Sequence, residues 1–176
     1  MSEKIIHQET VFTGKILTVR KDRVYLPDGR TGNREVVGCA DAVAVVALTG
    51  GDEVLMVKQY RHPVGKELWE IPAGKIEADE HPLQCAQREL EEETGYRAQN
   101  WQRVYSFYTS PGFCTEQLHL FVASDLTKYN QKLDQDEFIE VEKKSLPVAL
   151  DMAVSGEIVD AKTIIGLLAA DRYINQ

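Results

Sequence analysis

Residues 74–96 read GKIEADEHPLQCAQRELEEETGY, and the rest of the chain is best understood outward from this stretch. Gly74, Glu80, Arg88, Glu89, Glu92, Glu93 and Gly95 follow the spacing G-x5-E-x7-R-E-U-x-E-E-x-G-U, where U is a bulky apolar residue. Seven fixed residues at an average usage of about 6% each would coincide by chance in a chain of this size on the order of once in a million. The spacing predicts a helix over 81–94. Pro82 suits a first turn, acidic Asp79 and Glu80 suit the positive end of the dipole, and Gly95 suits a stop. Leu83, Ala86 and Leu90 recur at helical spacing and form the expected buried stripe. Glu89 and Glu93 then lie about 40° apart beside that stripe, with Glu92 on the same flank.

Glu89, Glu91, Glu92 and Glu93 crowd four negative charges into five positions. Like charges one turn apart destabilise a bare helix. Arg88 can pair with Glu92 and orient it, yet one arginine does not neutralise the group. A solvated acidic helix face is one outcome. A divalent-cation site is the other, because Mg2+ takes one or two carboxylates together with waters and phosphate oxygens. The fixed glycines and arginine favour the second.

The flanking sequence is organised as strands and turns. Alternating stretches at 5–12 and 15–26, a Pro27-Asp28-Gly29 turn and a short run at 34–37 make the first 38 residues β-rich. An apolar run at 42–48 suits a buried strand, and 53–60 follows the turn at 49–52. Further strands are expected at 103–108, 118–123 and 138–144, and helices at 147–155 and 161–173. Strands with a helix between them and helices at the end indicate an α/β layered class.

Composition bounds the function. The chain has 176 residues, 43% of them hydrophobic, enough for one main core. A net charge of −8 argues against nonspecific nucleic-acid binding. It also means that an anionic substrate would need placed arginines and metal ions. Cys39, Cys85 and Cys114 are odd in number and lack CxxC spacing, which argues against a zinc site and points to reduced thiols in the cytoplasm. No basic-then-apolar leader and no run of membrane-spanning length is expected.

The opening stretch resembles the Nudix box, the signature of hydrolases that cleave a diphosphate linked to another group. Tyr96 stands where that box usually has Ile, Leu or Val, a departure that leaves the acidic positions intact. The resemblance implies a Nudix α/β/α sandwich with a mixed β-sheet, plus an N-terminal β-rich segment. Residues 1–38 are assigned to that segment, as a sheet extension or a dimerisation element, and 39–176 to the hydrolase domain. It further implies metal ligation by the Ala73 carbonyl, Glu89 and Glu93, with Glu92 a further ligand or an orienting group. Mg2+ is the expected ion and Mn2+ the alternative. Glu80 is expected to tie the loop to Arg88.

The box leaves the substrate open. Thr109-Ser110-Pro111-Gly112-Phe113 places a proline sixteen positions after Gly95, and Gln59-Tyr60-Arg61 precedes Glu67-Leu68-Trp69-Glu70-Ile71-Pro72-Ala73-Gly74. This arrangement resembles the ADP-ribose pyrophosphatase branch, although a proline in a loop is also an ordinary turn. The resemblance implies Mg2+-dependent hydrolysis of ADP-ribose to AMP and ribose 5-phosphate. Arg61 would contact diphosphate or ribose, a surface ion pair being its alternative. Glu70 would bind a ribose hydroxyl or assist the metal, and Pro111, Gly112 and Phe113 would line the substrate. Arg20 would reach the substrate across a homodimer. Phe12, Tyr25, Tyr60, Tyr108 and Phe113 are stacking candidates that equally suit a core. The catalytic set is Glu137, Glu92 and Glu93. Glu137 is the first choice of general base, with Asp136, Glu140 and Glu92 behind it. The alternative is a pyrophosphatase for GDP-mannose or another nucleotide sugar, and the more distant one a noncatalytic ADP-ribose-binding module.

Overall fold

A computed structural model describes residues 2–50, 52–133 and 137–174. The chain forms two compact units, Met1–Asp41 with Phe107–Leu118, and Ala42–Ser106 with His119–Gln176. That residues 107–118 join the first unit is a feature the pattern along the chain does not reveal. In the first unit β1 (Lys4–Thr13), β2 (Leu17–Tyr25) and β3 (Thr31–Cys39) make an antiparallel sheet in that order. The segment after Ser110 runs alongside β3: Val37 N donates to Phe113 O at 2.7 Å, and Thr115 N donates to Val37 O at 3.0 Å. Every residue of β1 is exposed, including Ile5, Ile6, Val11 and Phe12.

The second sheet contains β4 (Ala42–Gly50), β5 (Glu53–Arg61), β6 (Lys66–Glu70), β7 (Ala73–Lys75), β8 (Tyr96–Tyr108), β9 (Gln117–Lys128) and β10 (Glu140–Ser145). Its order is β10-β5-β4-β9-β8, with β6 paired to β5 and β7 to β4. Three helices complete the fold: α1 (Pro82–Thr94), α2 (Leu146–Ser155) and α3 (Ala161–Ile174).

The layering follows from β4. Successive side chains point to opposite faces of a strand. Val43, Val45 and Ala47 pack with Cys85, Ala86 and Leu90 of α1, joined by Phe121 and Ala123 of β9. On the other face, Val46 and Leu120 lie against Gly166 of α3. Both faces of β4 are therefore covered by helices, which explains why it reads as an unbroken apolar run. The α/β class and the mixed sheet are as expected.

Helix α1 has the predicted bounds within one residue. His81 is its N-cap: the ring accepts from Leu83 N at 3.3 Å, and Gln84 Oε1 accepts from His81 N at 3.2 Å. Asp79 and Glu80 precede this cap, and the first turn itself holds no acidic residue. Gly95 closes the helix at φ 69, a left-handed conformation suited to glycine. The following chain is docked onto the helix end. Gly95 N, Lys132 N and Gln131 Nε2 donate to the carbonyls of Glu91, Glu92 and Glu93 at 2.8, 3.0 and 2.6 Å. These carbonyls would otherwise lack partners. The Arg97 guanidinium lies 4.2 Å over the Tyr129 ring and also pairs with Glu91, holding the same segment. No helix among the described residues is long and apolar enough to cross a membrane.

Candidate active site

The second unit brings Arg61, Glu70, Ala73, Glu89, Glu92, Glu93 and Glu137 onto its elements and loops. Antiparallel pairing of β7 with β4 sets Val43 opposite Gly74 and Ala44 opposite Ala73. This register fixes the turn entering α1. Glu93 is only 3% exposed, and its Oε2 accepts from Ala73 N at 2.9 Å. Gly74 faces Glu89 so closely that a Cβ there would overlap the carboxylate. Only glycine leaves room for that group.

Arg88 organises the acidic cluster. Its Nε and Nη2 hold Glu80 Oε1 and Oε2 at 2.9 and 3.0 Å, a bidentate pair. Nη2 also donates to Lys75 O at 3.2 Å. Nη1 reaches Glu89 Oε1 at 2.8 Å and Glu92 Oε2 at 3.0 Å. The expected tie between Glu80 and Arg88 is present. The bond from Arg88 holds the Glu80 carboxyl down at about 2, and Glu80 in turn raises Arg88.

Glu89 and Glu93 behave in the opposite sense. Burial pushes Glu89 up to about 7; Arg88 opposes this, while Glu92 and Glu137 add to it. Burial pushes Glu93 up to about 8 against the bond from Ala73, and Glu89 and Glu137 reinforce the rise. Two half-starved carboxylates on one helix, beside a backbone loop, form an oxygen donor set that a hard divalent cation would complete. Among the described residues no three His, Cys, Asp or Glu side chains make a metal centre by themselves. Backbone oxygen and water would have to supply the remaining ligands of such an ion. Glu92, 38% exposed and held by Arg88, stands at the rim of this group.

Glu137 is described, whereas Asp134, Gln135 and Asp136 lie outside the described residues. Its charge is felt by both Glu89 and Glu93. Glu140 begins β10, paired with Lys58 of β5.

Arg61 and Glu70 are committed to each other. Nε and Nη2 of Arg61 grip Glu70 Oε1 and Oε2 at 2.6 and 2.7 Å. Glu70 is 1% exposed and is also bound by Lys162 Nζ. Burial would raise its carboxyl, but the two cations hold it below the usual range. Lys162 in turn meets Asp160 Oδ2 at 3.0 Å, and that oxygen accepts from Thr163 N and Oγ1 at 3.0 and 2.6 Å. Thr163 Oγ1 accepts from Ile71 N at 2.9 Å. Lys162, Asp160 and Thr163 were not singled out from sequence; Asp160 just before a helical run, with Thr163 three residues on, is the cap signal that marks them.

In the first unit Arg20 Nε is paired with both oxygens of Asp22 at 3.2 and 3.1 Å. Ser110 O accepts from Phe113 N and Cys114 N, which folds Pro111 and Gly112 into a turn with Phe113 exposed. Phe12, Tyr25, Tyr60 and Tyr108 are exposed as well, so none of the five stacking candidates is a core residue.

Residues 40–161 match the NUDIX domain, and residues 3–37 match the nucleoside diphosphate sugar hydrolase N-terminal domain. The chain is 46% identical over 165 residues to an ADP-ribose pyrophosphatase of Bacillus subtilis (strain 168), covering 93% of this chain and 89% of that protein. It is 44% identical over 167 residues to a methanol dehydrogenase activator of Bacillus methanolicus, covering 94% and 90%. A crystal structure of an ADP compounds hydrolase superposes with a TM-score of 0.88 over 99% of this chain and 95% of that one; at 19% identity this likeness shows the fold.

The Glu80–Arg88 pair predicts a specific acid response. A carboxyl depressed to about 2 contributes stability above its unfolded value near 4.5, and that contribution is lost as pH falls toward 2. Chemical unfolding of wild type and Glu80→Gln across pH 7 to 2 should show wild type more stable by about 2 kcal/mol at neutrality. The gap should close below pH 4. Glu89 and Glu93 titrate in the opposite sense but are common to both proteins. A gap independent of pH would refute the assignment.

Proposed function

The chain belongs to the Nudix hydrolase family, and on that premise we propose that it hydrolyses the diphosphate bond of ADP-ribose to give AMP and ribose 5-phosphate. The observation that carries the chemistry is the pair of buried carboxylates Glu89 and Glu93 on one helix, the second bonded to Ala73 N at 2.9 Å. The choice of substrate is supported by the relative named ADP-ribose pyrophosphatase, similar over nearly the whole chain. Incubation with Mg2+ and ADP-ribose, GDP-mannose, NADH, diadenosine polyphosphates or nucleoside triphosphates tests it directly. ADP-ribose should be turned over fastest. Preference for GDP-mannose would establish the nucleotide-sugar alternative, and no turnover at all a binding module.

Glu89, Glu93 and the Ala73 carbonyl would hold Mg2+, or Mn2+ in its place, with Glu92 a further ligand or an orienting group at the rim. When bound, the ion neutralises diphosphate oxygens and lowers the pKa of a coordinated water. Glu137 would take the proton from the attacking water, a role supported by its electrostatic reach to both ligand carboxylates. Arg61 would present its remaining guanidinium edge to the diphosphate or ribose. Glu70, buried beneath it, would act by orienting Arg61 rather than by touching the sugar. Pro111, Gly112 and Phe113 would contact substrate, and Arg20 would reach it across a homodimer.

Glu93→Gln should remain folded by circular dichroism and lose at least about 100-fold in turnover, since the amide cannot supply an anionic oxygen. Wild-type turnover in Mg2+ would remove Glu93 from the ligand set. Glu137→Gln should lower kcat by about 100-fold or more while leaving KM within a few-fold. An unchanged kcat would transfer the base role to Glu92.

A homodimer in the cytoplasm is part of the same proposal. The N-terminal segment, 1–38, exposes the large apolar side chains Ile5, Ile6, Val11, Phe12 and Ile16. A second copy would cover it, and 39–176 would then be the hydrolase domain proper. Light scattering should give the mass of two chains; a single-chain mass at micromolar concentration would exclude the dimer.

A further inference from the structure

Two of the three cysteines meet in the first unit. Cys39 Sγ at the end of β3 and Cys114 Sγ after the Pro111 turn are 3.4 Å apart, although 75 positions separate them in sequence. The backbone on both sides is already locked together. Val37 pairs with Cys114 as a parallel bridge, Val37 N bonds Phe113 O, Thr115 N bonds Val37 O, and Cys39 N donates to Thr115 Oγ1 at 3.3 Å. A disulfide needs its sulfurs at about 2.05 Å, so the two thiols must draw closer for the bond to form.

We propose that Cys39 and Cys114 form a redox modification site, a dithiol that peroxide converts to an intrachain disulfide and that cellular dithiols reopen. The site is accessible. A cavity of about 460 Å³ lined by Gly14, Leu17, Gly38, Cys39, Ala40 and Thr115 opens beside it, and both cysteines are half-buried. Glu116 N donates to Cys114 Sγ at 3.5 Å. Cys85 is the internal control. It is fully buried on α1, donates to Lys75 O at 3.3 Å, and burial pushes its thiol up.

The chemistry balances with hydrogen peroxide as oxidant. The Cys114 thiolate attacks one peroxide oxygen, the O–O bond breaks, and the departing hydroxide takes a proton to become water. The resulting sulfenic acid is attacked at sulfur by Cys39, whose proton passes to solvent. The S–S bond forms, the S–O bond breaks, and a second water leaves. Both sulfurs are oxidised and one peroxide is reduced. A small dithiol reverses the linkage by exchange. The product covalently ties the loop bearing Pro111, Gly112 and Phe113 to β3. Its effect on turnover rests on the substrate role proposed above for that loop, whereas its formation does not.

Oxidation of the full-length protein with hydrogen peroxide, followed by digestion without reduction and mass spectrometry, tests the proposal. The expected product is one crosslinked peptide joining Cys39 to Cys114, with a mass lower by two hydrogens and full recovery on dithiothreitol. Of the three thiols, two should be lost and Cys85 retained. Cys85→Ser should form the same crosslink, and Cys114→Ser should form none. Crosslinks between chains, linkage to Cys85, or overoxidation of Cys39 and Cys114 without a bridge would each overturn it. A bridge that forms while the KM for ADP-ribose stays unchanged supports the modification site and removes the loop from the substrate reading.

Discussion

The guanidinium of Arg88 is the point on which the acidic helix depends. It stands on α1 within bonding distance of Glu80, Glu89, Glu92 and the Lys75 carbonyl, so one delocalised cation spans the incoming loop and two successive turns of helix. Lysine would supply the charge but not the fork. The sharing is unequal. Glu80 is held firmly as an anion, whereas Glu89 receives a single bond against a larger desolvation cost and keeps a raised proton affinity. Glu93 lies beyond the reach of these bonds and is satisfied by Ala73 N. A gradient of charge compensation runs along one helix, from neutralised at its entrance to poorly neutralised at its buried face. Stability and chemistry are thus separated on the same element.

The opposite end of α1 serves placement. Helix C-termini leave carbonyls without partners, and here Gly95 N takes that of Glu91 while Lys132 N and Gln131 Nε2 take those of Glu92 and Glu93. The segment that leads to Glu137 is therefore anchored on the helix that carries Glu89 and Glu93.

Local pattern carried much of this. The bounds of α1, its glycine stop and the buried run of β4 all follow from periodicity and caps over a few turns, and the Glu80–Arg88 tie from the resemblance of the box. What the sequence conceals is long-range. Glu70 reads as an available carboxylate, but its partner Lys162 is 92 residues away, and nothing near Glu70 announces that burial. The docking of Gln131 on Glu93 depends on a backbone carbonyl, a group with no sequence signature. Strand β8 begins at Tyr96, well before the alternating stretch at 103–108 that marks it, because pairing with β9 recruits residues whose own pattern is polar. The aromatic candidates proved exposed for the converse reason: tyrosine and phenylalanine types do not disclose which face of a strand is covered.

The hydrogen bonds between Glu70, Lys162, Asp160, Thr163 and Ile71 bear on where this hydrolase ends as a unit of inheritance. The NUDIX match closes at residue 161, one position before Lys162. A fragment trimmed to that match would keep the box and lose one of the two cations on a carboxylate that is 1% exposed. An interior charge stripped of a partner is among the more costly lesions a protein sustains. Arg61 would then be the sole counterion, drawn inward at the expense of any group outside. The final helix, remote from the box in sequence, therefore belongs to the same packed unit and secures the buried Glu70 carboxylate through Lys162.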